Sequence, residues 1–326
     1  MHGIKRRQWT EELLKQKKLQ DQKKISEYRD LTKTVLDKKR KEIYTLETFD
    51  LTTQVLKINP EFNSVWNYRR DIINSLRDGL AIESWEDELN FTMAQMKVFP
   101  KVYWIWNHRV WILNNYPNSP LKIWQRELVI ASKVLEMDAR NYHAWHYRRI
   151  IVNEIEKISG KSMDKSELEY TTLNINQNIS NFSSWHQRAK LLPRMFSTDE
   201  VMDKKKFIND EVSYITNAMF TDAEDQSVWL YIKWFIKNEI VSKTLSGDEY
   251  QKMLKDLKNN ILAINEDEVE FSGVQNNWCL KILIVIEDIE TSLGITNTSN
   301  KTEYIEQLIE ADPLRKNRYM HLLNKH

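Results

Sequence analysis

The sequence predicts an all-α protein, built as a curved solenoid of about seven helical hairpins. A short motif recurs at intervals of 40, 39, 40, 44, 49 and 41 residues, and a fixed period of this length is typical of stacked repeat proteins. Only 6 Gly and 6 Pro occur in 326 residues, which leaves little turn chemistry for β-hairpins. The aromatic residues that anchor the motif are Trp66, Trp106, Trp145, Trp185, Trp229, Trp278 and Tyr319.

Each repeat is predicted to contain two helices. A glutamate recurs 18 or 19 residues before the first five tryptophans. In the segment 123–135, apolar residues follow the i, i+3, i+4 spacing of a half-buried helix, and a second helix begins near each tryptophan. Because a hairpin covers its apolar side only by stacking on its neighbours, we expect residues 46–326 to form one repeat domain. The recurring glutamates are Glu47, Glu88, Glu127, Glu167 and Glu211.

Residues 1–45 are predicted to form a basic helical arm. They contain 14 Lys and Arg against 7 Asp and Glu, and the rest of the chain has 34 against 40. Ile25, Tyr28, Leu31 and Val35 fall on one helical face. We interpret the segment as a solvated arm that packs ahead of the repeats, with an arm for nucleic acid or anionic lipid as the alternative.

Cysteine content and hydropathy indicate a cytoplasmic protein. Cys279 is the single cysteine, which excludes an internal disulfide and a multi-cysteine zinc site carried by this chain alone. No run of apolar residues approaches the length of a membrane span or a signal peptide. We therefore expect this chain alone to bind no metal or cofactor and to have no stable membrane insertion.

The tryptophans are interpreted first as scaffold residues. An arginine follows three residues after four of them, on the same helical face. We expect each indole to fill the gap between hairpins, and each arginine either to cover the indole or to pair with the next repeat. These arginines are Arg69, Arg109, Arg148 and Arg188.

The turns before the tryptophans differ in charge. In two repeats only, the residue five positions before the anchor is a cation and the residue three positions before it is a tyrosine. These pairs are Lys101 with Tyr103, and Arg140 with Tyr142. Equivalent positions of stacked helices lie about 10 Å apart, so Lys101 and Arg140 are predicted to be neighbours. Since helix N-termini favour anions, the pair is typical of half of a phosphate or diphosphate clamp. Solvated turn charges are the competing interpretation.

The repeated motif resembles a known family. The Pro-x5-Trp-x-x-Arg turns, the segment 141–145 and the period near 40 residues are similar to the α subunits of protein prenyltransferases, from Glu47 onward. The start Met-His2-Gly, the basic helix and the segment 220–229 resemble the α subunit of type II (Rab) geranylgeranyltransferase, in its short fungal form. Farnesyltransferase and type I α subunits usually carry lysine where this chain has Arg140.

The resemblance implies half of an enzyme. It implies a right-handed crescent wrapped around a β subunit that holds the catalytic zinc and the lipid pocket. The heterodimer would transfer a geranylgeranyl group from geranylgeranyl diphosphate to C-terminal cysteines of Rab GTPases presented by an escort protein. Residues matching Lys101, Arg140 and Tyr142 would face the diphosphate. The alternatives are the α subunit of farnesyltransferase or type I geranylgeranyltransferase, and a non-catalytic scaffold.

Overall fold

The computed structural model describes residues 10–198, 200–295 and 299–324. Within these ranges the chain is helical and contains no strand. The predicted all-α array of helical hairpins is confirmed. The helices are α1 (Glu11–Arg40), α2 (Leu46–Ile58), α3 (Asn63–Leu76), α4 (Ile82–Val98), α5 (Tyr103–Asn115), α6 (Leu121–Met137), α7 (Tyr142–Ser159), α8 (Asp164–Gln177), α9 (Phe182–Ser197), α10 (Lys204–Thr221), α11 (Gln226–Lys237), α12 (Glu239–Thr244), α13 (Gly247–Ser272), α14 (Asn277–Ser292), α15 (Lys301–Ala311) and α16 (Lys316–Leu323).

Seven of the predicted hairpins are present in the described residues. They are α2–α3, α4–α5, α6–α7, α8–α9, α10–α11, α13–α14 and α15–α16. The second helices of the first five begin three residues before their tryptophans, as the motif predicts. The 49-residue interval has a local cause that the sequence did not reveal, because the short helix α12 is inserted and α13 is long. A capping box of Ser246 and Glu249 starts α13, and Gly273 ends it with a φ of 75°.

The helices divide into two compact units. The N-terminal unit comprises Met1–Glu136 and Asn141–Ser159, and the C-terminal unit comprises Met137–Arg140 and Gly160–His326. Each unit has its own buried core of aromatic and aliphatic side chains from stacked hairpins. In the C-terminal unit that core includes Trp185, Trp229 and Phe235.

Helix α1 packs on α2 and α3 by its C-terminal half, within the N-terminal unit. Val35 is fully buried there, and the Tyr28 hydroxyl accepts a hydrogen bond from Asn59 Nδ2 at 2.8 Å. The N-terminal half of α1 is exposed along its length. The predicted boundary between residues 45 and 46 falls between α1 and α2. Within the described residues, none of the helices is both long and apolar enough to span a bilayer.

Candidate functional site

The repeated tryptophans fasten each second helix to the turn that precedes it. In four of the hairpins the indole Nε1–H donates to the backbone carbonyl six residues earlier, at 2.8 to 3.0 Å. These four tryptophans are buried, so each indole N–H needs an acceptor within the protein, and the carbonyl of the turn provides it. The sequence predicted the packing of these rings but not their donor role. The pairs are Trp66 with Pro60, Trp106 with Pro100, Trp185 with Ile179, and Trp229 with Ala223.

The repeated arginines pair with the repeated glutamates of the next hairpin. Arg69 donates through Nε and Nη2 to both oxygens of Glu88, each at 2.6 Å. Its Nη1 donates to Thr52 of its own hairpin at 2.7 Å. Such a two-pronged charged pair fixes both distance and orientation. The guanidinium of Arg69 in α3 therefore links α2 to α4, so the arginine pairs with the next repeat.

The same arrangement recurs along the array. Arg109 makes the corresponding two bonds to Glu127 at 2.7 and 2.8 Å, and Arg188 makes them to Glu211 at 2.7 and 2.6 Å. Arg148 is buried and donates to Ser132 Oγ of its own hairpin at 2.8 Å. The anchors and arginines therefore form a repeated scaffold inside each unit.

A second side chain bonds to three of the repeated glutamates, and sequence reasoning missed it. Tyr147 and Tyr231 donate their hydroxyls to Glu127 and Glu211, both at 2.6 Å. These residues lie two positions after the tryptophan. The sequence could have identified them, because a tyrosine or histidine recurs at this position in several repeats.

His108 takes the place of tyrosine in the second hairpin. Its Nε2 lies 2.7 Å from Glu88 Oε1, and its Nδ1 accepts from Arg70 Nε at 3.1 Å. Burial lowers the pKa of His108 to about 4, against the opposing effect of Glu88. Burial also acts to raise the pKa of Glu88, but the Arg69 charge and the bonds from Arg69 and His108 lower it to about 2. The imidazole is therefore neutral and donates from Nε2 to an ionised carboxylate.

In the sixth hairpin, the anchor position predicted from the sequence is wrong by two residues. Asn276 donates from Nδ2 to the Ala223 carbonyl at 3.1 Å and caps α14, as Asn141 donates to the preceding turn and caps α7. Four residues after the cap, the fully buried Leu280 occupies the anchor position. Trp278 lies two residues earlier and is partly exposed, so it is not the structural equivalent of Trp229.

Lys101 lies directly before an open helix start. Its side chain is exposed, and Tyr103 at the first position of α5 is 48% exposed. No side chain of the described residues caps α5, whereas Asn181 caps α9 and Asp225 caps α11. The first N–H groups of α5 therefore point towards the lysine turn without a side-chain acceptor, which is a favourable place for an anion.

The third hairpin holds this turn in place. Asn141 Nδ2 donates to the Pro100 carbonyl at 3.2 Å. His143 Nε2 lies 3.1 Å from the Lys101 carbonyl. Tyr142 is 69% exposed and its ring lies 3.9 Å from that of His143. The structure thus places Lys101 just before the second helix of one hairpin and Tyr142 at the start of the second helix of the next, both in the N-terminal unit.

Arg140 lies in the C-terminal unit. Its side chain is exposed, and Nη2 donates to the Ser180 carbonyl at 2.7 Å. A guanidinium has five N–H donors, so this bond orients the group without exhausting it. The adjacency of Arg140 and Lys101 stays a prediction, because the two residues belong to different units. His2 of the start motif lies outside the described residues.

Comparison with known proteins first defines the class. The protein prenyltransferase alpha subunit repeat matches residues 46–76, 85–116, 124–155 and 164–195, which are the first four hairpins. The fold is also that of a chain in the structure of Candida albicans protein geranylgeranyltransferase-I complexed with GGPP. The TM-score is 0.69 at 19% identity, over 92% of this chain and 90% of that one. These hairpins and turns are those of a protein prenyltransferase α subunit.

Two fungal relatives define the family within that class. The chain is 61% identical over 327 residues to the geranylgeranyl transferase type-2 subunit alpha of Saccharomyces cerevisiae, covering 100% of both chains. It is 34% identical over 362 residues to that of Candida albicans, covering 98% of this chain and 96% of the relative. The chain therefore belongs to the family of geranylgeranyl transferase type-2 α subunits. An α subunit of a prenyltransferase implies a β subunit and an isoprenoid diphosphate substrate.

Proposed function

We propose that this chain and a β subunit transfer a geranylgeranyl group from geranylgeranyl diphosphate to C-terminal cysteines of Rab GTPases in the cytoplasm. An escort protein would present the Rab substrate. The observation that carries the role of this chain is the open start of α5, where Lys101 and Tyr103 are exposed beside Tyr142. An anionic leaving group fits this place better than an apolar or cationic ligand.

The chemistry assigned to this chain is stabilisation of the leaving group. When the bond between carbon and oxygen breaks, negative charge builds up on the diphosphate. Lys101 and Arg140 would attract that charge, and the Tyr142 hydroxyl would donate a hydrogen bond to it. Groups fixed before the reaction stabilise the transition state more than the ground state, where less charge is present.

The size of this effect follows from ordinary bond strengths. A hydrogen bond to a charged group is worth about 1.5–3 kcal/mol. Loss of one such bond would slow the chemical step by about tenfold to a hundredfold. Because the bond strengthens as charge develops, we expect the loss in the rate of turnover at saturating substrate.

The attacking cysteine would be activated by the partner. The zinc that the resemblance implies would be held by the β subunit, where it would stabilise a substrate thiolate. The lipid pocket would also lie in that subunit. The contribution proposed for this chain is therefore the two cations and the tyrosine hydroxyl that would meet the diphosphate, together with the scaffold that holds them.

Reconstitution tests the proposed function. The chain is co-expressed with the β subunit of a type-2, a type I or a farnesyl enzyme, and prenyl transfer to a Rab GTPase is measured with and without an escort protein. We expect no transfer by the chain alone, and geranylgeranyl transfer with the type-2 β subunit that depends on the escort protein. Transfer only with a farnesyl or type I β subunit would show that the assignment is wrong. Absence of transfer with every β subunit would favour a non-catalytic scaffold.

A further inference from the structure

His143 is buried behind the exposed residues of the candidate site. Its ring is 4% exposed and lies 3.9 Å from the Tyr142 ring and 6.0 Å from the Tyr103 ring, measured between centroids. On its other side it stacks on Trp106, with an angle of 12° between the planes. Its Nε2 lies 3.1 Å from the Lys101 carbonyl. The buried imidazole therefore contacts the Lys101 turn and the rings of both exposed tyrosines.

The hydrogen bond to Lys101 fixes the state of the imidazole. A carbonyl oxygen can only accept, so Nε2 carries the proton. Burial lowers the pKa of His143, which favours the neutral ring with a single N–H at neutral pH. That N–H is committed to the Lys101 carbonyl, and the ring faces remain for the aromatic neighbours.

A weaker version of this contact occurs at the equivalent position of the fifth hairpin. Ser227, like His143, lies two residues before its tryptophan, and its Oγ is 3.5 Å from the Ser180 carbonyl. Ser180 corresponds to Lys101 in the repeat. The repeat therefore places a side chain at this position next to the carbonyl of the preceding hairpin's turn. His143 makes a shorter contact to that carbonyl than Ser227 does, and its ring also contacts the two tyrosines.

The turn would remain folded without His143. The carbonyl of Pro100 accepts from Trp106 Nε1 at 3.0 Å and from Asn141 Nδ2 at 3.2 Å, which fixes the residue before Lys101. Loss of the His143 donor would therefore remove one restraint on the Lys101 backbone without unfolding the turn. A displacement of about 1 Å in a charge that acts on a leaving group is enough to lower the rate markedly.

From these contacts we propose that His143 is a positioning residue, which holds Lys101 and the ring of Tyr142 in the geometry that stabilises the diphosphate. The proposal rests on the proposed function. His143 acts through its neighbours and need not touch the substrate.

Two substitutions separate the donor from the ring. His143→Phe keeps a stacking ring but loses the N–H, and His143→Gln keeps an N–H donor. In the heterodimer with a type-2 β subunit, we expect His143→Phe to slow single-turnover geranylgeranyl transfer about three- to tenfold, as the loss of one neutral hydrogen bond implies. His143→Gln should restore most of the rate. Ser213→Ala, which removes an exposed hydroxyl that donates to the Asn209 carbonyl of its own helix, should leave the rate unchanged.

A double-mutant cycle with Lys101→Ala completes the test. If His143 acts through Lys101, His143→Phe will have little further effect once Lys101 is alanine. A wild-type rate for His143→Phe, or independent effects of the two substitutions, would overturn the proposal while leaving Lys101 in its role. A wild-type rate for Lys101→Ala would instead contradict the proposed role of Lys101 at the leaving group, and the positioning role with it, while transfer by the heterodimer would still support the proposed function. If the phenylalanine prevents assembly, His143→Met, which also lacks the donor, replaces it in the same cycle.

Discussion

Replacing Glu127 by glutamine would leave a guanidinium charged in a site from which water is excluded. The side chains of Arg109 and Glu127 are both 0% exposed, and Arg109 donates to the two carboxylate oxygens at 2.7 and 2.8 Å. Removing one partner of a buried ion pair destabilises a protein by about 3–5 kcal/mol, because the other charge remains without compensation. We expect a loss of this size for Glu127→Gln.

Urea unfolding of the purified heterodimer measures the loss, with two controls. Asp210→Asn breaks a pair with Lys206 of similar length, 2.6 Å, in which the side chains are 64% and 69% exposed. This variant should unfold like the wild type, since solvent screens such a pair. The double substitution Arg109→Met with Glu127→Leu replaces both charges with apolar groups and should recover part of the stability, reduced by the cost of the buried Tyr147 hydroxyl that loses its carboxylate acceptor. The reasoning fails if Glu127→Gln unfolds at the same urea concentration as Asp210→Asn, or if the double variant is no better than the single one.

Three further predictions concern the scaffold. Because burial lowers the pKa of His108 from 6.5 to about 4, its stabilisation is complete above pH 6.5 and is lost as the pH falls towards 4. His108→Tyr should therefore reduce the fall in melting temperature between pH 6.5 and 5, and an unchanged pH profile would contradict this. Leu280→Ala should lower the free energy of unfolding by about 2–5 kcal/mol and Trp278→Ala by less, so the reverse order in urea unfolding would refute the revised register. Trp145→Ala should cost about 3–5 kcal/mol and impair pairing with the β subunit, and normal co-purification with unchanged melting would show that Trp145 is not an anchor.

The hairpins were predictable because their anchors are large and regularly spaced. Trp66, Trp106 and Trp145 each occupy the fourth position of a second helix, so the period of the tryptophans gives the period of the fold. The six-residue helix α12 was not predictable in the same way. It is too short to show a periodic apolar face, and it appeared in the sequence only as a longer interval.

The polar scaffold was visible as a pattern but not as a set of contacts. Both Arg109 and Glu127 were found by their spacing, yet their pairing depends on which helices become neighbours in the stack. In the sixth hairpin, the identity of Trp278 was a misleading guide. The cap residue Asn276 is a better guide to the register. Like Asn141, it donates from Nδ2 to a backbone carbonyl of the preceding hairpin's turn.

The candidate site was predicted in part. Lys101 lies in the turn before α5 and Tyr142 at the first position of α7, and both are exposed, as their places in the repeat indicated. The role of His143 required the structure, since a histidine beside a tyrosine indicates neither stacking nor the carbonyl that it contacts. The open start of α5 also depended on knowing that no described side chain caps it.

Single-turnover transfer by charge-deleted heterodimers tests most directly whether this chain stabilises the leaving diphosphate. Lys101→Ala and Arg140→Ala are compared with Glu61→Ala, which removes an exposed charge at the equivalent position of the first hairpin. With saturating geranylgeranyl diphosphate, the first two should be about tenfold to a hundredfold slower than wild type, with assembly intact, and Glu61→Ala should be close to wild type. A wild-type rate for Arg140→Ala, or an equal loss for Glu61→Ala, would contradict the account and leave the chain with a scaffold role alone.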